Sequence, residues 1–272
     1  MMISICEDLG KEQESLDEIV CGLEEEQWLQ LTMFSGWSVR DEITHLAFFD
    51  RAAALAATDQ SAFNALRDES LSGVTSSSEF HDRVLEYGRT KSATELLSWW
   101  RAERSLLLKA MAPLDVKTRL PWWGPSMSAR SSATARMMET WAHGTDVADA
   151  LGVRRKPSGR LYNIAHLGVI TIGWSYATNG MDAPNIPVRI ELTSPSGDPW
   201  IWGPEDAVNV VRGDAEDFCL VAVRRRHVDD TGLSYTGPVA AQWLSIAQAF
   251  AGPPEPVPSP GSYPKNATPR GR

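Results

Sequence analysis

Apolar residues recur at helical spacing through most of the first 180 residues, and the run is punctuated by helix starts and stops rather than by strand signals. Leu9, Leu16, Ile19, Val20 and Leu23 share one face of a helix expected over about 8–27. Ser38 with Asp41 resembles a capping box, so a second helix should begin just after Trp37 and run to about Ala57, with acids in its first turn facing the helix dipole. Ser92 and Glu95 form another box ahead of Leu96, Leu97, Trp99, Trp100, Leu106, Leu107 and Met111, and Pro113 ends that helix. A bulky loop from Arg119 to Pro125 leads into a helix from about Ser128 to Leu151, with Gly152 as its stop. One more is expected from Ser158 to about Asn179. Amphipathic helices in series must bury their apolar stripes against one another, which predicts an up-and-down bundle.

Beyond Gly180 the period changes. Val188, Ile190 and Leu192 alternate with polar residues, and Ser196-Gly197-Asp198 is a turn before Trp200-Ile201-Trp202, the pattern of a β-hairpin. Helical spacing returns from Ala215 to Arg225, a short strand is expected at Leu233 to Thr236, and Gly237-Pro238 opens a last helix through Phe250. The expected fold class is therefore mixed: a helical bundle over 1–182, a small α+β domain over 183–252, and a disordered tail rich in Pro, Gly and Ser over 253–272.

Composition narrows the partners. With 26 Lys and Arg against 35 Asp and Glu, the net charge of -9 would repel a phosphate backbone, so nucleic acid is not expected. No long apolar run precedes Glu7 and Asp8, so neither a signal peptide nor a membrane span is expected and the location should be cytoplasmic. Cys6, Cys21 and Cys219 are odd in number and lack close spacing, the pattern of reduced thiols. Trp37, Trp99, Trp100, Trp122, Trp123 and Trp141 supply core, and some rings could line a pocket.

One constellation could carry chemistry. Glu139 and His143 stand four apart, so a helix presents their carboxylate and imidazole to the same point, with Asp146 on that face as well. Across a bundle core, His45 could supply a third ligand. Two His and one carboxylate leave a coordination position open, as catalytic zinc and non-haem iron sites do. The same residues could instead be ordinary polar members of two helices.

The segments GWSVRDEITHLAFFD and ARMMETWAHGTDVADALGV resemble the two signatures of the mycothiol-dependent maleylpyruvate isomerase family, which belongs to the DinB-like metalloenzymes. The later stretches WGPEDAVNVVRGDAEDFCLVAVRRRH and TGPVAAQWLSIAQAFAGPP resemble the C-terminal part of one actinobacterial branch of it. That resemblance implies a DinB-like bundle with metal ligands at His45, Glu139 and His143, and an assisting basic residue that matches Arg225 in the run Arg224-Arg225-Arg226. It also implies mycothiol as thiol cosubstrate.

The expected metal is zinc, which lowers the pKa of a coordinated thiol, and the thiolate is the reactive nucleophile. No cysteine lies near the motif, so the thiol should come from outside the chain. The leading expectation is attack of metal-bound mycothiol on a small electrophile, with Asp146 as supporting or proton-handling partner and Arg225 steadying an anionic group. The outcome would be sulfur transfer or exchange, as in natural-product pathways such as lincosamide antibiotic assembly, or isomerisation of the maleylpyruvate type. Two rivals stand beside it: metal-assisted hydrolysis, and a non-catalytic module holding a small molecule among the tryptophans and a sterol-carrier-like second domain.

Overall fold

The structure, a computed structural model, describes residues 2–34 and 36–263. It divides into two compact units, Met1–Val153 and Arg154–Arg272.

The first unit contains helices α1 (Met2–Val20), α2 (Glu25–Trp28), α3 (Val39–Thr58), α4 (Gln60–Leu71), α5 (Ser77–Arg89), α6 (Ala93–Met111) and α7 (Ala129–Leu151). A short antiparallel ribbon of β1 (Arg119–Leu120) and β2 (Met127–Ser128) precedes α7. Both capping boxes form, at Ser38 with Asp41 and at Ser92 with Glu95. Ser128 caps α7, and Gly152 ends it in the left-handed conformation at φ 66°. The helix expected over 8–27 instead breaks after Val20, and α2 restarts under the capping of Glu24 and Gln27.

Helix α3 is the hub: it packs against α4, α5, α6 and α7, while α1 lies on α6 and α7. Leu16, Val20, Trp28, Val39, Ile43, Leu46, Leu96, Trp100 and Val147 form one apolar core. Each large side chain fully removed from water there contributes roughly 1.5–3 kcal/mol before entropy is counted. Because α3 is enclosed on nearly every side, it also buries Glu42, Thr44, His45 and Asp50. Buried polar groups are costly unless partnered. Asp50 meets this by accepting from Arg136 Nε at 3.0 Å and Gln13 Nε2 at 3.1 Å. Asp17 ties α1 to α6 through Arg101 Nε at 2.8 Å and through Arg104.

Helix α5 approaches α3 where Gly88 meets Thr44. A Cβ at 88 would stand 1.7 Å from Thr44 Oγ1, an oxygen already committed to the Arg40 carbonyl. Only glycine permits that approach.

The second unit holds α8 (Leu161–Ile170), α9 (Ile172–Thr178), β3 (Val188–Thr193), β4 (Pro199–Trp202), β5 (Asn209–Asp214), α10 (Ala215–Ala222), β6 (Ser234–Thr236) and α11 (Pro238–Ile246). Its sheet runs in the order β4-β3-β5-β6. The hairpin pairs Ile190 with Trp202 and Thr193 with Pro199, and β5 lies parallel to β3 on its other side. The single helix expected from Ser158 to Asn179 is two, divided at Thr171. Both belong to this unit, so the division falls at Val153 and Arg154, earlier than the sequence boundary at 182 and 183: α8 packs on α10, and α9 on α11. Asn209 Oδ1 accepts from Val239 N at 2.9 Å and so caps α11, with Gly237 at φ 86° leaving room for it.

Residues 253–263 are held against this unit rather than free. Gln248 bonds to Pro253 and Glu255, Gly261 N donates to Asp230 at 2.8 Å, and Tyr263 is buried beneath Arg226. The rest of the expected disordered tail, 264–272, lies outside the described residues. Among the described residues no helix is long and apolar enough to cross a membrane.

Candidate metal centre

Helices α3 and α7 lie side by side, and that pairing brings His45, Glu139 and His143 to one point. One ligand atom from each falls within 4.8 Å of the others. His45 Nε2 is 3.5 Å from Glu139 Oε2, and His143 Nε2 is 3.2 Å from the same oxygen. Ligands about 2.0–2.1 Å from a tetrahedral zinc stand about 3.3 Å from each other, so these spacings suit an ion of that size.

The hydrogen bonding behind the cluster sharpens the fit. His143 Nδ1 lies 2.6 Å from Glu42 Oε2, and Thr32 Oγ1 donates to the other Glu42 oxygen at 2.6 Å. With the Nδ1 proton given to Glu42, the His143 Nε2 that faces Glu139 either carries a second proton and donates to the carboxylate, or offers a lone pair. Once that proton is lost, two lone pairs face each other at 3.2 Å, a spacing that a cation can fill. A carboxylate behind a metal-ligating histidine is the usual device for fixing its tautomer. Asp146, expected as supporting partner, lies behind His143 as well, but at 3.6 Å from Nδ1 it is the more distant carboxylate.

Burial pushes the His45 imidazole down to about 3, His143 adds to the fall, and Glu139 opposes it. His45 is therefore neutral near pH 7 and has a lone pair to offer. Its Nδ1 is buried without a hydrogen-bond partner, so His45 lacks the kind of support His143 has from Glu42. Burial also resists the ionisation of Glu139, but hydrogen bonding to His143 and His45 outweighs it and holds that carboxyl well below its usual range. Burial, reinforced by Asp146, raises Glu42 to about 7 against the pull of His143 and Thr32.

Aromatic rings fix the two imidazoles. Trp37 stacks on His143 with centroids 5.8 Å apart and leans on His45 at 5.3 Å. Phe34 meets His143 edge-on, and Phe49 packs on His45 at 4.6 Å. From Phe49 the aromatic wall continues through Phe80, Trp122 and Trp123. The Glu139 side chain is 25% exposed against 4% for His143 and 10% for His45, so solvent reaches the cluster past Glu139.

Arg225 belongs to the second unit. It is buried, and its Nη1 donates to the Val223 carbonyl at 2.9 Å. The chain reverses just before it: Arg224 is left-handed at φ 58°, while the amides of Arg224 and Arg225 donate to Val221 and Leu220, closing α10 with a Schellman turn. Arg224 holds that strained position with its guanidinium on the carbonyls of Ala247 and Ile246, at 2.9 and 3.0 Å. Cys6 and Cys219 are buried, Cys21 is exposed, and none belongs to the cluster.

Sequence reasoning found the three converging residues and Asp146 but missed Glu42. The available signal was its place one turn before His45 on the same helix face.

Comparison with known proteins agrees with the architecture. Residues 9–148 match the family model described as the mycothiol maleylpyruvate isomerase N-terminal domain. Residues 184–234, within the second unit, match a model described as wyosine base formation. Uncharacterized proteins from two strains of Mycobacterium tuberculosis are each 43% identical over 247 residues, covering 91% of this chain and 95% of theirs. Among solved structures, the mycothiol-dependent maleylpyruvate isomerase shares the fold with a TM-score of 0.57 at 17% identity, and a mutant of it does so with 0.58 at 15%. Each covers 86% of this chain and 92% of its own. Sequence match and fold together place this chain in the mycothiol-dependent maleylpyruvate isomerase family.

Proposed function

We propose that this chain is a mycothiol-dependent metalloenzyme in which His45, Glu139 and His143 hold a divalent metal, expected to be zinc, and mycothiol reacts with a small electrophile. The observation that carries this reading is the convergence of two imidazole nitrogens on one carboxylate oxygen at 3.5 and 3.2 Å, with Glu42 behind one of the imidazoles. A metal held there would supply a Lewis acid that acidifies a thiol at neutral pH.

The chain's own residues do the rest. Neutral His45 offers its lone pair, ionised Glu139 brings negative charge to the cluster, and Glu42 fixes the His143 tautomer. Phe34, Trp37 and Phe49 pack around the imidazoles and exclude water on their side, leaving access past Glu139. Asp146 is assigned a supporting role toward His143. Arg225 is assigned the steadying of an anionic substrate group, supported by the family resemblance and its place in the arginine run.

The reaction is read as thiol transfer or exchange, including transfer in natural-product assembly such as that of lincosamide antibiotics, or as cis-trans isomerisation of the maleylpyruvate type. The test is metal analysis of the purified protein, then incubation with mycothiol and a panel of electrophiles with products read by mass spectrometry. Recovery of neither metal nor a mycothiol-dependent product would sink the proposal. Equal turnover with the thiol omitted would favour hydrolysis. Retention of small-molecule binding by Glu139→Gln, with no turnover in either protein, would favour a binding module.

A further inference from the structure

Helix α5 carries an inward stripe at positions 81, 84, 85 and 88, the spacing of one helix face. Val84, Leu85 and Gly88 on it are buried, and Gly88 seats the helix against α3. The remaining member is polar: His81. Its ring meets Trp37 at 5.5 Å and lies 6.4 Å from the ring of His45. It is only partly buried, and among the described residues no hydrogen bond satisfies either of its nitrogens. It also stands too far from the others to join the group of three whose ligand atoms lie within 4.8 Å. Burial lowers its pKa, and the charges of His143 and Glu139 are close enough to act on it. A partly buried imidazole beside Trp37 and His45, its nitrogens engaged by no hydrogen bond among the described residues, has donor and acceptor capacity that a ligand could use.

We propose that His81 is a ligand-orienting residue of this centre, hydrogen-bonding to the small molecule that occupies the position left open by His45, Glu139 and His143. The inference rests on the reading of that cluster as a metal centre. It adds a third helix, α5, to the two that hold the ligand residues, and it makes the bound molecule bridge α5 to them. His81 is thereby a determinant of which molecule is held and how it is turned, not of whether metal is retained.

The test uses the full chain loaded with cobalt(II), whose absorption reports both the metal and a thiol added to it, titrated with mycothiol. His81→Ala and the ring-sized, non-hydrogen-bonding His81→Phe should keep cobalt at wild-type stoichiometry while mycothiol binds about tenfold more weakly, the scale of one lost hydrogen bond. His81→Asn, which keeps a donor and an acceptor, should recover part of that loss. Unchanged mycothiol affinity in Ala and Phe variants that hold full cobalt overturns the role of His81 and leaves the metal reading standing. Loss of cobalt from both of those variants also overturns it, because His81 would then support the metal itself. Wild-type protein that takes up no cobalt overturns the metal reading, and this inference with it.

Discussion

Two buried groups of charged side chains, one in each unit, are held in different ways. In the first, buried ionisable side chains face one another: Asp50 with Arg136, Glu42 with His143, and Glu139 with both His45 and His143. In the second, the buried Arg224 turns its guanidinium to the backbone carbonyls of Ala247 and Ile246. A side chain paired with a carbonyl secures the end of an element. Side chains paired with each other across helices can be emptied of protons and filled with a cation, so the first arrangement can become a site while the second mainly braces a scaffold.

The largest test of that contrast is Glu139→Gln, which removes the only carboxylate among the three converging residues. Metal affinity should fall by at least about a hundredfold, more than loss of an outer partner costs, measured by competition with a chromophoric chelator. Unaltered affinity would break the comparison at its root. The matching change in the second unit is Arg224→Ala, which removes two bonds from a charged donor; unfolding by denaturant should show a loss of about 2–3 kcal/mol. Metal content should not move, and a variant that lost metal as well would show that the two kinds of burial are not separable.

Glu42→Gln should cost about 10–100-fold in metal affinity, the usual range for the group behind a ligating histidine. Equal affinities for wild type and variant would leave Glu42 as mere packing. The smallest effect concerns Asp17, which is paired across helices but borders solvent. Burial opposes its ionisation, yet Arg101 and Arg104 hold its pKa below the usual value. A carboxyl depressed in the folded state stabilises above its unfolded pKa of about 3.9 and loses that contribution as pH falls through the folded value. Because Arg101 is 46% exposed, Asp17→Asn should cost only about 0.5–1 kcal/mol at pH 7 after allowance for solvent screening. The gap between wild type and variant in urea unfolding should narrow as acid is added. A gap that widens in acid contradicts the pairing.

Much of this was legible in the chain because local chemistry wrote it. Ser38, Ser92 and Gly152 mark helix ends through bonds within a few residues, and they fall where the sequence places them. The spacing of Glu139 and His143 on one helix, with His45 on another, likewise pointed to the convergence now seen. Glu42 stayed hidden for a specific reason. As an acid in the first turn of α3, it was already explained by the helix dipole, whereas the partner that gives it meaning lies 101 residues away. His81 was hidden within α5, a helix the sequence reading did not delimit. The parallel pairing of β3 with β5 was equally silent, because a crossover is fixed by what the sheet packs on rather than by alternation within either strand. The break at Thr171 and the anchoring of 253–263 are tertiary in origin too.

The contact of Gly88 with Thr44 reaches beyond packing. With no room for even a methyl group there, the spacing between α5 and α3 is a fixed gauge that substitution at position 88 can spoil but not adjust. If the centre takes a small molecule as proposed, room for a bulkier one has to come from elsewhere, such as the rings of Trp37, Trp122 and Trp123 near His45 and Phe49. On that reading, change in what is bound should fall on those rings while the helix crossing stays the same.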